Sequence, residues 1–426
     1  MDRSLMFVIR LKKERRKATG IAKSVVSLRL YSNKNNSTTM NNNITDTIKY
    51  VGVDDMDLDL FESQYIIPYG ISYNSYIIFD EKIAIMDSVD SRKYDEWIAN
   101  VVDALQEKTP DYLIVHHMEP DHAGSLARIA EKYPQMQIVS SARAIQMLSQ
   151  FFPETDFTNR TLAVNEGDTL SLGSHTLQFF MAPMVHWPEV IVTYEQSEKI
   201  LFSADGFGKF GALSHDEEWA CEARRYYFNI CGKYGIPVQT LLKKMATLDI
   251  AQICPLHGPI LNENLDYYVG LYDTWSKYEP ETKGVFIACA SIYGGTMAAV
   301  NRLAEMLRER GVEKVSVADL CRCDMAEALE DAFRYDRFVV AASSYDGGLF
   351  TPMYHLLHHL QIKNFQKRTV GIIENGSWAP CAGRVMRSML EQMKEITILE
   401  PMVTIRSRMK AEDMSAMEAL ADALIK

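Results

Sequence analysis

The chain has 426 residues, 47% hydrophobic and 24% charged, which is enough for two or three domains with complete cores. No apolar run approaches the roughly 18 residues that a membrane span requires, so no membrane association is expected. Formal charge is −11, but residues 1 to 39 hold ten Lys or Arg and two acids, a local +8 that leaves −19 for the rest. So acidic a body disfavours nucleic-acid binding and suits a partner with a basic patch. The seven cysteines are scattered, and Cys321 and Cys323 are separated by one residue, a pattern of reduced thiols expected in a cytoplasmic protein.

Residues 1–45 read as a basic and polar disordered extension, the first 39 of them native, a targeting segment or an upstream start ahead of Met40. Structure is predicted from near Ile48. Strands are expected at Gln64–Tyr69, Tyr76–Phe79 and Ile83–Met86, then a helix over Tyr94–Gln106, a buried strand at Asp111–Val115 and a helix over Ala123–Ala130. Further strands follow at Gln178–Met181, Val190–Thr193 and Lys199–Phe202. Mixed sheets flanked by helices predict an αβ/βα sandwich over 46–278. The polar, Pro-containing Tyr278-Glu-Pro-Glu-Thr282 places a linker at 279–283, after which 284–426 alternates strands and helices as a doubly wound parallel sheet does.

His117-Met-Glu-Pro-Asp-His122 packs four potential metal ligands, His117, Glu119, Asp121 and His122, into six residues after an apolar strand. His186, Asp205 and His257 each follow an apolar segment beside Gly or Pro. A single loop histidine is more often a satisfied core or solvated residue, and His116, His175, His215, His355, His358 and His359 are read that way. The clustered set differs, because adjacent carboxylates beside imidazoles cost stability unless a cation compensates them. Seven ligands exceed what one ion takes and suggest two ions with a bridging carboxylate.

This pattern is similar to the metallo-β-lactamase superfamily motif His-x-His-x-Asp-His, with Glu119 where the second His would stand. That departure resembles the flavodiiron proteins, as do the phrases His186-Trp-Pro188 and Leu256-His-Gly-Pro259. A carboxylate in place of an imidazole favours iron over zinc. The resemblance implies one iron on His117, Glu119 and His186, a second on Asp121, His122 and His257, and Asp205 between them. It also implies an active-site tyrosine, either Tyr226 or Tyr227. The interval from Asp205 to His257 is shorter than the family's usual one.

In the second half, the strand Lys283–Ala290 leads into Ser291-Ile-Tyr-Gly-Gly-Thr296 and a helix over Met297–Arg310, an arrangement suited to an anion at a helix N-terminus. The loop lacks GxGxxG and the Walker lysine, which disfavours a dinucleotide or ATP. It resembles the phosphate loop of flavodoxins, implying FMN held by Ser291, Tyr293, Gly294, Gly295 and Thr296. Two later loops, Ser343-Ser344-Tyr345-Asp346-Gly347-Gly348 and Asn375-Gly376-Ser377-Trp378, fit the flavin-ring positions, with Tyr345 and Trp378 as stacking platforms.

The expected fold is thus an N-terminal metallo-β-lactamase-like sandwich plus a C-terminal flavodoxin-like sheet. The expected function is an oxidoreductase passing electrons through FMN to two non-haem irons that reduce O₂ to water or NO to N₂O. With no CxxC pairs for a fused rubredoxin-like module, an external donor such as a rubredoxin-like protein or a flavin reductase is expected. The resemblance also implies a head-to-tail homodimer or tetramer. Two competing classes are a zinc hydrolase fused to a flavodoxin-like domain, which would act without reductant, and a non-catalytic FMN electron carrier.

Overall fold

Strand β1 (Ile48–Tyr50) opens a six-stranded sheet continued by β2 (Tyr76–Ile78), β3 (Ala84–Met86), β4 (Tyr112–Ile114), β5 (Gln137–Ser141) and β6 (Thr161–Val164) in that spatial order. The first three strands pair antiparallel and the rest parallel. A second sheet runs β7 (Thr169–Ser171), β8 (Thr176–Met181), β9 (Ile191–Glu195), β10 (Ile200–Phe202) and β11 (Gln252–Cys254), with only its last pair parallel. Because side chains alternate across a strand, each sheet turns one set inward. Ile78, Met86, Ile114 and Val139 meet Leu177, Phe179, Ile191 and Phe202 in a dry layer between the sheets. Helices such as Tyr94–Leu105 and Ala142–Phe151 cover the outside. The computed structural model describes residues 43–426, so the predicted extension lies outside the described residues up to Asn42.

Residues 43–45, assigned by sequence to that extension, are already engaged: Asn43 bridges to Lys49, and the Ile44 amide donates to Ile48 O at 2.9 Å. The strand expected at Gln64–Tyr69 shrinks to Tyr65–Ile66, paired with Leu60–Phe61. Positive φ at Glu62 and Ser63 folds the chain back there, and the buried strand comes later, at Ile71–Tyr73. The helix expected at Ala123–Ala130 is two pieces, Pro120–Ala123 and Leu126–Lys132. Between them a Cβ on Gly124 would meet Pro120 O at 2.5 Å, so the close turn demands glycine.

The third sheet holds β12 (Thr282–Ala290), β13 (Val315–Asp319), β14 (Tyr335–Tyr345), β15 (Gln366–Asn375), β16 (Lys394–Ile398) and β17 (Val403–Ile405). Its order is β13-β12-β14-β15-β16, with β17 also alongside β15, and all these pairs are parallel. The expected linker residues Thr282 and Lys283 therefore belong to the sheet, since Thr282 pairs with Tyr335. A parallel sheet buries both faces, and here helices Gly295–Glu309 and Met414–Leu424 share a core with Val285, Ile287 and Val339. Helices Met325–Arg334, Thr351–Ile362 and Ala382–Leu390 take the side chains of opposite parity, such as Phe286 and Val340.

Residues 43–426 form one compact unit, joined through helix Trp219–Ile230. A helix with polar residues on only one face would leave that face wet, yet this one is buried nearly all round because it lies between the halves. Phe228 stacks on Phe333 at 4.2 Å between centroids. Arg224 grips Glu281 with two bonds of 2.7 Å and reaches Glu330 at 3.1 Å, and Asn229 Nδ2 donates to Ala326 O at 3.2 Å. Phe228→Ala should cost about 3–5 kcal/mol of stability in urea unfolding, and a loss below about 1 kcal/mol would show that this stack does not hold the halves together.

Candidate metal centre and flavin loops

The sandwich brings all seven candidate ligands to the strand ends. His117 and Glu119 follow β4, while Asp121 and His122 sit on the short helix Pro120–Ala123 rather than in the expected loop. Asp205 follows β10 in a tight turn closed by Gly206 N to Ser203 O at 3.0 Å. His257 follows β11, where Asn74 Nδ2 binds both Pro255 O and Gly258 O at 2.8 Å. His186 comes from the turn after β8, whose Met184 has φ 66°.

The side chains divide into two groups about one carboxylate. Asp205 Oδ2 lies 3.3 Å from Nε2 of both His117 and His186. Its Oδ1 lies 3.5 Å from His122 Nε2 and 3.8 Å from His257 Nε2. Glu119 Oε2 joins the first group, 3.2 Å from His117 and 3.0 Å from His186. Asp121 Oδ2 joins the second, 3.2 Å from both His122 and His257. Ligand atoms of His117, Glu119, His186 and Asp205 fall within one ion's reach, and those of Asp121, His122 and His257 within another's.

The chemistry of this donor set fits cations. Both carboxylate oxygens of Asp121 and of Asp205 are buried without a hydrogen-bond partner, a costly state for anions. His257 Nδ1 donates to the carbonyl of Ser72 at 2.7 Å, which in the neutral ring leaves the Nε2 lone pair facing the cluster. His117 Nδ1 meets Glu189 Oε1 at 2.8 Å and turns its Nε2 inward in the same way. Burial, reinforced by repulsion from Glu119 and Asp205 and opposed by His122, pushes Asp121 up to about 7. Although burial opposes it, the pull of His117 and the adjacent imidazoles of His122 and His186 hold Asp205 well below the usual carboxylate range. Burial likewise works against charging His186, but the nearby Asp205 carboxylate and a hydrogen bond to Glu119 raise it to about 9. The rings of His117 and His186 thus favour the protonated form beside the carboxylates, and a metal ion would supply that charge directly.

His116, one residue before the first ligand, behaves as the bland reading expects. Its Nδ1 bonds Asp87 and its Nε2 meets Thr193 Oγ1 at 2.7 Å, so both nitrogens are satisfied. Of the two tyrosines, Tyr226 faces the cluster, its ring 5.5 Å from that of His257. Tyr227 instead packs on Tyr272 and Trp275 at 5.1 and 5.5 Å. Beside His186 and Trp187 opens a cavity of about 270 Å³, also lined by Glu62, Tyr65, Lys233 and Lys363. Burial and the nearby Glu119 carboxylate raise Glu62 to about 7.

The three flavin-loop candidates meet at the carboxyl ends of β12, β14 and β15. Gly294 caps helix Gly295–Glu309 at φ 87°, its amide donating to Ser291 Oγ at 3.1 Å. A Cβ on Gly295 would meet Ser407 O at 2.3 Å, so this glycine is required by the neighbouring chain. Thr296 Oγ1 lies 3.1 Å from Ser343 Oγ, tying the first loop to the second. Asp346 and Gly347, both at positive φ, turn the second loop back so that Tyr345 pairs with Gly348. Tyr293, Trp378 and Tyr345 are 99%, 88% and 48% exposed, so each loop carries bare aromatic surface suited to a stacked ring. Not every candidate is free to bind: Ser344 Oγ accepts the amides of Cys381 and Ala382 at helix Ala382–Leu390. Asn375 exchanges two 3.0 Å bonds with the Ser407 backbone, Ser377 Oγ meets Ser407 Oγ at 2.8 Å, and Gly376 N donates to Ile405 O at 3.0 Å.

Sequence reasoning missed Glu189 and Ser72, which hold the far nitrogens of His117 and His257, and also Glu62. Glu189 follows His186-Trp-Pro directly, but nothing in the chain's pattern places it behind a residue 72 positions away.

Residues 71–258 match the family model described as ODP family beta lactamase. A nitric oxide reductase of Moorella thermoacetica is 30% identical over 386 residues, covering 87% of this chain and 94% of that one. The flavo-diiron protein FprA2 of Clostridium acetobutylicum is 27% identical, covering 83% and 91%. In fold, the chain resembles the rubredoxin oxygen:oxidoreductase of Desulfovibrio gigas with a TM-score of 0.82 at 24% identity, covering 90% of this chain and 97% of that one. With these likenesses spanning both the ligand-bearing sandwich and the flavodoxin-like sheet, the chain belongs to the flavodiiron proteins.

Proposed function

We propose that the chain holds two irons, one on His117, Glu119 and His186 and the other on Asp121, His122 and His257, with Asp205 shared between them. As a flavodiiron protein it is an oxidoreductase that works with flavin and iron. The observation that carries the two-ion assignment is Asp205, whose two buried oxygens face different pairs of imidazoles. The reaction is the reduction of O₂ to water or of NO to N₂O, a reading supported by one relative named a nitric oxide reductase and another named a rubredoxin oxygen:oxidoreductase. FMN sits across the loops of Ser291–Thr296, Ser343–Gly348 and Asn375–Trp378. A small external protein such as a rubredoxin, or a flavin reductase, supplies the electrons. When bound, flavin would gather electrons from that donor, and adjacent irons would deliver them to a diatomic in close succession.

The protein's own residues prepare this chemistry. Glu119, Asp121 and Asp205 offer hard oxygen donors that favour iron and stabilise its ferric state. Phe61 and Tyr226 pack against the His257 ring, and Phe210 packs against both of them, apolar surface that keeps bulk water from that side. The cavity beside His186 offers a route by which a diatomic and protons would reach that ligand. Tyr226 lies where a hydroxyl could serve the bound gas, and Tyr227 supports its helix. No helix among the described residues is long and apolar enough to cross a membrane.

Metal analysis of the purified protein should give two irons per chain. Asp205→Ala should lose both, whereas Glu119→His should raise zinc occupancy and abolish gas consumption with the flavin spectrum intact. Unchanged turnover in Glu119→His would sink the assignment.

Thr296→Val removes one hydroxyl at constant shape, and should weaken flavin retention through dialysis about tenfold, in line with a hydrogen bond of roughly 1.5 kcal/mol to a charged group. Gly295→Glu should abolish flavin binding while iron stays bound. Full flavin content in both variants would place the phosphate elsewhere.

The working unit is a head-to-tail dimer in which the flavin of one subunit serves the irons of the other, an isologous arrangement that completes both sites at once. Asp205→Ala and Gly295→Glu should each be inactive alone and regain part of the activity as verified heterodimers. Heterodimers with no activity would show that electrons pass within one chain.

A further inference from the structure

The ligand imidazoles are supported from behind in different ways. His257 Nδ1 donates to a neutral carbonyl, Ser72 O. His122 Nδ1 is buried with no hydrogen-bond partner. His117 Nδ1 faces a carboxylate, Glu189 Oε1, at 2.8 Å. Glu189 is buried to 1% exposure, and among the described residues its only ion pair is with His117. The Met118 amide donates to the same oxygen at 2.9 Å, while Oε2 has no hydrogen-bond partner.

A purely structural histidine–carboxylate pair exists next door for comparison. Asp87 uses Oδ1 for the His116 amide and Oδ2 for its ring, and the far nitrogen of that ring ends on Thr193. That network is closed. The Glu189 network is open, because the far nitrogen of His117 points into the metal cluster at Glu119 and Asp205. A carboxylate behind a ligand imidazole raises its basicity and so favours the higher oxidation state of the bound metal.

We propose that Glu189 is a positioning residue that makes the two irons electronically unequal, holding the reduction potential of the iron on His117, Glu119 and His186 below that of its neighbour. The inference rests on the two-iron reading above. The first position already faces Glu119 and Asp205, and Glu189 adds a third anion through His117. The second position faces Asp121 and Asp205, and its imidazoles are backed by a carbonyl and by nothing.

The test uses full-length, iron-loaded protein, with iron content from chelator competition and potentials from a redox titration followed by electron paramagnetic resonance and Mössbauer spectroscopy. The wild type should hold two irons with two separate potentials. Glu189→Gln keeps an acceptor oxygen and the shape but removes the charge, so it should retain both irons while the lower potential rises toward the upper. Glu189→Asp keeps the charge and should keep the gap. Glu189→Leu should weaken binding of one iron by about 10–100-fold. A wild type without two irons overturns the two-iron reading itself. Two irons with a single shared potential, or unchanged potentials in Glu189→Gln, overturn only the role given to Glu189. The first of these outcomes needs no variant to fold.

Discussion

The structure depends on how two buried carboxylates are made tolerable. Asp205 lies almost fully buried with neither oxygen hydrogen-bonded, and Asp121 shares that condition. Ionised groups withdrawn from water this way are not left uncompensated in stable proteins. The compensation comes from four imidazoles, delivered by three separate strand ends, and from the cations those imidazoles and carboxylates can share. Everything in the sandwich that fixes the strand ends therefore serves the cluster, from the dry layer of Phe179 and Phe202 to Asn74 pinning the His257 loop.

That requirement also explains the orientation of the imidazoles. A ligand histidine must present one particular nitrogen, and the hydrogen bond at the other nitrogen selects it. Ser72 does this for His257 and Glu189 for His117. His116 shows the contrasting outcome one residue away: both its nitrogens are occupied, so it cements the sandwich and takes no part in the cluster.

The flavodoxin-like half follows a different rule. Its ligand loops are held to one another by neutral hydrogen bonds, Thr296 to Ser343 and Asn375 to Ser407, while its aromatics stand exposed. The two halves are not loosely tethered. Helix Trp219–Ile230 carries Tyr226 against His257 and Phe228 onto Phe333, so one element sets an aromatic beside the candidate cluster and seals the junction. Arg224, gripping Glu281 and Glu330, adds a charged clasp to the same helix.

Much of this was legible in the chain itself. The density of His117, Glu119, Asp121 and His122 announced a metal site, because such a run has no stable use without cations. The recurrence of apolar strand, short loop and helix after Lys283 announced a parallel sheet with loops at its carboxyl ends. Where local pattern was weak, the sequence misled: Gln64–Tyr69 had strand composition, but positive φ at Glu62 and Ser63 made it a two-residue hairpin. The choice between Tyr226 and Tyr227 could not be read either, since both lie on one helix and only what packs against each face separates them. Glu189 behind His117 and Ser72 behind His257 were invisible for the same reason. Ligand identity is written in residue types at short spacing, whereas the support behind each ligand comes from segments 72 and 185 residues away. Only the tertiary fold, by closing those long loops around a common core, decides which far side chain meets which nitrogen.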